Sequence, residues 1–536
     1  MAKGLRVLLT LTAAVTLLLL LWSTSYAQGA ASQSASAPTT PTAAPTPAAS
    51  PTSVSTGTST PGASHAAESE PAISGSRAAT GNSDEELRKR VAQLEAEMEM
   101  MRAEINRLKQ PASTPSTAAV VTPPAAPVAK DASTVQPPPA KPAPDEHKPG
   151  IEVGPVRIIP YGNIYLNLFG NTSGTNNTDV PLFATTTVPG NVSVTARQTR
   201  LGLRLEGPDM GGAKTSGVLE ADFAGGFPSI GIGEDFGVVR LRLAYFKLDW
   251  KNTTFEAGQD WTIFSPANPV SIASVATPEF AAAGNLFARI PQIRVEQRFM
   301  DGGISWAGAV LASTTGDYPA TGTTPAVLQP GSGALSLRPA FESRLALNGK
   351  NWLGSKKTAT VGLSAHYGWA RVATTPRNID LDVMGVAGDW FIPFGSRVSL
   401  AGEAFFGRNL AAFQGDVFQT FVPDFAYRVG TALVPGGPRA PGTRGGWAQL
   451  CVTPPGLNDK LSFYGSFGMD DPRDRDFVTL ATHDSRLRNL AVAVSGIYKL
   501  TQQISWGFEY RRLDTLYLVS GRLNDNHLNL AASYSF

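Results

Sequence analysis

The chain carries a single cysteine, Cys451, in 536 residues, so it can form no internal disulfide and no structural cysteine metal site. Ionisable residues are scarce as well. Asp, Glu, Lys and Arg make up 16% of the chain, and the formal net charge is +2. That balance offers nucleic acid no electrostatic footprint. Histidine is rare, with five in the whole chain. No nucleotide-binding motif is present, and nothing in the sequence calls for a cofactor or a metal. Beyond residue 27 no apolar run approaches the ~18 residues of a membrane-crossing helix. A secreted chain of this kind can still cross a membrane as a closed β-barrel, which satisfies every backbone polar group in lipid.

Both termini point to such a barrel. Lys3 and Arg6 precede an apolar run from Val7 to Trp22, and Ser25-Tyr26-Ala27 is a small-x-small cleavage site. Residues 1–27 therefore read as a secretory signal peptide. At the other end, Leu528, Leu530, Ala532, Tyr534 and Phe536 alternate with Asn529, Ala531, Ser533 and Ser535. One apolar face toward lipid and one polar face toward a wet lumen is what a closing barrel strand requires. This tail resembles the C-terminal assembly signal of Gram-negative outer-membrane proteins, so Phe536 is expected to engage the barrel-assembly machinery.

Between the termini the composition changes three times. Residues 28–82 are rich in Ala, Ser, Thr and Pro and cannot bury a core. Ser83-Asp84-Glu85-Glu86 is a capping box that starts a helix over 83–110. Along it Leu87, Val91, Leu94, Met98, Met101, Ile105 and Leu108 recur at alternating spacings of four and three, the seam of a self-associating coiled coil. Pro111 ends the helix. The Pro- and Ala-rich stretch 111–155 reads as an extended, semi-rigid linker.

Over 156–536 short stretches of period-two alternation are separated by Gly, Pro, Asn and Asp. About sixteen strands are expected, at 156–169, 194–206, 214–223, 238–250, 253–261, 291–299, 303–313, 340–348, 358–371, 380–391, 398–406, 443–453, 460–469, 487–499, 504–514 and 525–536. Short turns alternate with long connections at 170–193, 262–290, 314–339 and 407–442, matching short periplasmic turns and long external loops. The expected fold is all-β: a transmembrane antiparallel barrel of about sixteen strands, preceded by a short coiled coil. Sixteen strands leave room for an aqueous channel.

The polar face of the early strands is charged. Leucines at 201, 203 and 205 alternate with Arg200, Arg204 and Glu206, and Leu241 stands between Arg240 and Arg242. Arg294 and Arg298 follow in the sixth strand, while Glu220, Asp222, Glu256 and Asp260 project the same way. Facing lipid, an Arg would cost on the order of 2–4 kcal/mol at mid-membrane, so these groups must face the lumen. They form either a self-neutralising lattice or a basic wall that attracts anions. Arg197 falls one register off this pattern, so its lumenal placement needs a bulge or a position beyond the lipid band. The connection 262–290 is unusually apolar and small, so it should pack against something. Its Pro278-Glu279-Phe280 resembles a motif of the inward-folding third loop of general porins, which puts Glu279 among the pore-lining candidates.

Residues 196–205 (ARQTRLGLRL), LEADF at 219–223, RLRLAYFKLDW at 240–250 and AGQDWTIFSP at 257–266 resemble the DcaP-like family of outer-membrane porins. The order of heptad helix, linker and barrel is similar too. That resemblance implies a homotrimeric channel in the bacterial outer membrane, with the N-terminal segment in the periplasm and a preference for small anionic solutes such as dicarboxylates. It makes Arg197, Arg200, Arg240 and Arg242 the pore-lining cations. Two other readings stand beside it. The barrel could anchor a structural tether, with 28–82 reaching peptidoglycan. An outer-membrane enzyme is the third, but His366, His483 and His527 carry no Ser or Asp motif around them.

Overall fold

The computed structural model describes residues 150–186, 188–226, 237–317, 330–374 and 376–536. The signal peptide, the 28–82 tract, the helix at 83–110 and most of the 111–155 linker lie outside the described residues. Twenty strands follow: β1 (Ile151–Val153), β2 (Val156–Asn171), β3 (Asn191–Thr195), β4 (Arg200–Glu206), β5 (Lys214–Asp222), β6 (Arg240–Asp249), β7 (Thr253–Trp261), β8 (Arg289–Phe299), β9 (Ile304–Leu311) and β10 (Ala340–Gly349). The second half holds β11 (Ala359–Val372), β12 (Ile379–Phe394), β13 (Val398–Arg408), β14 (Val422–Val429), β15 (Ala432–Arg439), β16 (Gly442–Val452), β17 (Leu461–Pro472), β18 (Arg486–Lys499), β19 (Ile504–Tyr517) and β20 (Arg522–Ser535).

They form a closed, antiparallel barrel of 16 strands. Three observations reduce twenty to sixteen. β1 is a short clip folded back onto the start of β2, from Ile151 opposite Ile158. β3 and β4 are two halves of one strand, and both pair with β2. β14 and β15 make a separate hairpin inside the longest connection. Closure runs along β20 and β2, from Ser535 opposite Asn163 to His527 opposite Asn171. β20 thus stops short of the first residues of β2, and β1 covers that open edge instead.

Every expected strand is present, within about three residues at each end. The break at 196–199 and the β14–β15 hairpin are the departures. The alternation sorts the wall inside out. Leu166, Leu203, Phe246, Ile293, Leu363, Phe406, Val494 and Leu530 are exposed on the outside, while Asn167, Glu220, Arg242, Glu256, Asp389, Asn489 and Glu509 are buried inside. A soluble barrel has the opposite arrangement, so this one is built to face lipid.

The polar interior is covered by a chain segment that crosses it. Residues 262–288 leave β7, traverse the lumen and return to β8. At its root Glu342 of β10 accepts the amides of Ile263 and Phe264 at 3.0 and 3.1 Å. Further along, Gln449 of β16 both accepts from and donates to Val270 at 2.9 Å. Glu509 of β19 then accepts from the Ser271 hydroxyl at 2.5 Å. Its apolar side packs Phe280, Ala267 and Ala283 against Trp447, Ala491 and Leu513. A side chain on Gly284 would place a Cβ 2.1 Å from the Gly446 carbonyl, and φ there is +106°, so only glycine lets the segment lie this close to the wall. The apolar, small composition of the segment is therefore what packing inside a barrel demands.

Candidate permeation site

The site begins at the break in the second barrel strand. Between β3 and β4, residues 196–199 leave the ladder. That break brings Arg197 inward despite its register. Its Nε donates to Asp179 Oδ2 at 2.9 Å and its Nη2 to Asn177 Oδ1 at 2.8 Å, both in the connection 172–190. Arg197 is thus committed to holding that connection. The next residue, Gln198, clamps the crossing segment. Its Nε2 donates to the Ala273 carbonyl at 2.8 Å, and its Oε1 accepts the amides of Val275 and Ala276 at 2.9 and 3.1 Å.

Four arginines converge just beyond this clamp. Arg242 Nε donates to Glu220 Oε1 and its Nη1 to Asp222 Oδ2, each at 2.7 Å. Arg240 binds both oxygens of Asp222, at 3.0 and 2.7 Å. Arg200 lies 3.6 Å from Glu220 and donates to the Val275 carbonyl at 3.0 Å. The Ala276 carbonyl accepts from Arg240, Arg242 and Arg289, at 2.8, 3.1 and 3.2 Å. Tyr161 completes the lattice by donating to Glu220 at 2.9 Å. Three of these four guanidiniums therefore share two carboxylates. Among the described residues, Arg289 pairs with no carboxylate. It lies instead over the Trp261 ring at 4.3 Å. Arg242 is fully buried, whereas 30% of the Arg240 side chain is exposed to the lumen.

The other candidates sit elsewhere. Arg294 is enclosed by Glu256 at 2.8 Å, Glu296 at 3.1 Å and Asp260 at 3.2 Å, and Lys247 adds 2.9 Å to Glu256. Two cations meet three carboxylates there, so this second station has the opposite balance. Arg298 is at the short-turn end of β8, bonded to Asp249 and the Trp250 carbonyl at 2.8 Å. Arg204 is exposed over the Tyr161 ring, 4.7 Å from its centroid. Glu279 does not line the arginine cluster. It is buried in the crossing segment, 3.8 Å from Arg511. Burial first, and repulsion from Glu509 second, push its carboxyl well above the ordinary value, against the pull of Arg511.

Sequence reasoning missed Arg289 because the expected strand starts two residues later. It missed Gln198 because a lone neutral residue between two arginines carries no signal. His366 and His527 are also anchored, at 3.0 Å from Glu342 and 2.8 Å from Asn171. His483 is exposed, 3.0 Å from Asp424.

No family model and no curated protein matches the chain. Solved structures do. The DcaP outer-membrane channel of Acinetobacter baumannii aligns with 72% of this chain and 99% of its own, at 17% identity and a TM-score of 0.54. The anion-selective porin of Comamonas acidovorans aligns with 71% of this chain and 100% of its own, at 12% identity and a TM-score of 0.43. OmpF of Salmonella typhi, solved with daunomycin, covers 72% and 100% at 10% identity and a TM-score of 0.43. At this level of identity what is shared is architecture: the chain is similar in fold to the DcaP channel.

Proposed function

We propose that this protein is an outer-membrane porin of the DcaP-like kind, a passive channel that favours small anionic organic solutes such as dicarboxylates. The observation that carries the reading is the surplus at the crossing segment, where four arginines meet two carboxylates and Arg240 remains open to the lumen. A fork-shaped guanidinium can bind a carboxylate bidentately, so a permeating diacid has a partner at each end of a short molecule. The neighbouring glutamates keep the charge from trapping it, since a channel needs binding weak enough for release. The acid-rich station around Arg294 lies on the same wall and limits the surplus to one zone.

Residues 28–82 and the linker belong in the periplasm on this reading, and the 83–110 helix supports a homotrimer. Phe536 engages the assembly machinery, and peptidoglycan is a candidate partner of the 28–82 tract. Liposome swelling tests the transport role. Vesicles holding the protein should swell faster in a four-carbon dicarboxylate than in a diamine of equal size. Equal rates would remove the anion preference, and no swelling in either would remove the channel.

A further inference from the structure

We propose that a cleft beside the β14–β15 hairpin binds a small aromatic carboxylate, its carboxylate between Arg428 and Arg475 and its ring against Tyr427. The external position of the hairpin rests on the membrane reading above, but the site does not depend on what passes through the pore. The hairpin is a built platform. The Ala426 amide donates to the Val478 carbonyl at 2.9 Å, and the Leu480 amide to the Asp424 carbonyl at 3.2 Å, so residues 478–480 lie along β14. Beneath them Val422, Phe425, Phe477 and Leu487 make a small buried core. Next to β14 opens a cleft of about 280 Å³, whose charged and aromatic lining is Phe425, Tyr427, Arg428, Arg439 and Arg475. At ~30 Å³ per water such a volume displaces about nine waters, room for one ring with a carboxylate on it.

Three guanidiniums meet one carboxylate there. Arg439 is already placed: it lies 2.7 Å from Asp476 and 4.4 Å from the centroid of the Phe425 ring. Asp476 is buried and also accepts the Gly442 amide at 2.9 Å, which fixes it to the start of β16. Arg428 and Arg475 are exposed and pair with no carboxylate among the described residues. The other acids nearby are engaged elsewhere. Asp424 lies 3.0 Å from His483, and the charged neighbours of Asp474 are Asp471 and Arg488. The cleft therefore holds a surplus of two positive charges, in forks that match a carboxylate. The aromatic half is preset as well. Tyr427 is 53% exposed and stands edge-on to Phe425, with ring centroids 4.9 Å apart. A Cβ on Gly436 would fall 2.7 Å from the Phe425 ring and 2.8 Å from the Tyr427 ring, so this glycine makes room for both. A flat anion finds charge for its carboxylate and an apolar face for its ring, with little ordering left to do on binding.

The test is fluorine NMR of added ligand with the full chain in non-ionic detergent, against empty micelles. The probes are para-fluorobenzoate, the uncharged para-fluorobenzamide, and fluoroacetate, which carries the charge without the ring. The wild type should bind para-fluorobenzoate saturably and in preference to both others. Arg428→Gln with Arg475→Gln should weaken that binding about tenfold. Tyr427→Ser should reduce it to the level of fluoroacetate. These side chains are exposed, so the folded band on an unboiled gel should persist in both variants. Arg240→Ser with Arg289→Ser should keep most of the binding, because those arginines stand in the lumen. Equal binding of benzoate and benzamide, wild-type binding in the Arg428/Arg475 variant, an aromatic preference that survives Tyr427→Ser, or loss of binding in the lumen variant would overturn the proposal. Failure of the porin reading would instead appear as a non-conducting wild type and would leave the titration unchanged.

Discussion

The two halves of the barrel differ in how they place arginine: the first turns it into the lumen, whereas the second sends several outward and keeps Arg511 and Arg486 inside. In β4–β8, Arg200, Arg240, Arg242 and Arg294 point into the lumen and meet carboxylates or loop carbonyls. In β13–β20, Arg408, Arg444 and Arg522 point outward near the strand ends, and Arg512 points outward mid-strand, opposite Val492 and Asn526. The residue type is the same, but one step of strand register moves it from water-filled pore to lipid rim. The inner set is buried and cross-linked, so losing a member should cost structure as well as charge. The outer set is exposed, and exposed ion pairs contribute little to stability.

The largest expected effect follows from that contrast. Arg242→Met leaves Glu220 without its closest cationic partner and Asp222 with Arg240 alone in a buried site. Removing one member of such a network costs on the order of 3–5 kcal/mol. Thermal melting of the folded band on an unboiled gel should fall steeply, whereas Arg444→Gln should leave it within error. Equal melting of the two variants would break the comparison. Next in size is the root of the crossing segment. Glu342→Ala strands the amides of Ile263 and Phe264, at about 1–3 kcal/mol, and should release the segment. Single-channel conductance should rise and become noisier, and an unchanged trace would mean the segment does not narrow the pore.

A smaller effect concerns pH. Asp416 lies in the connection between β13 and β14, fully buried, and accepts the Leu410 amide at 2.6 Å. Burial, then repulsion from Asp470, holds its carboxyl well above the usual range. The unfolded chain therefore loses this proton near the ordinary carboxyl value while the folded chain keeps it. Stability falls as pH rises from that ordinary value toward the raised one. Asp416→Asn should stabilise the fold by about 1 kcal/mol at pH 7.5, seen as a higher melting point, and leave it unchanged at pH 3. A gain at both pH values would show that charge is not the cause.

Much of this was legible in the chain. Period-two alternation with polar breaks placed the sixteen strands, because one lipid face and one water face leave a strong signal. The inward set Arg200, Arg240 and Arg242 was legible for the same reason. The crossing segment announced itself through small apolar residues that no solvated loop needs. What could not be read were contacts between distant parts of the chain. Gln198 clamps Val275 and Ala276, some 77 residues away, and neither end marks the other. Arg289 was hidden because it stands where loop becomes strand. The self-neutralising lattice and the basic wall proved to be neighbours: carboxylates balance Arg294, while arginines outnumber them around Ala276. The outward arginines were not legible because each strand carries only one or two of them, without the repeated Arg-x-Arg alternation of β4 and β6.

The most direct measurement is the zero-current potential of single channels in a tenfold salt gradient, for the wild type and for Arg240→Ser with Arg289→Ser. That pair of changes leaves Arg200 and Arg242 balanced against Glu220 and Asp222. The wild type should show a potential of anion-selective sign, and the variant a potential near zero. A cation-selective wild type, or a variant as anion-selective as the wild type, would contradict the assignment of selectivity to the arginines around the Ala276 carbonyl.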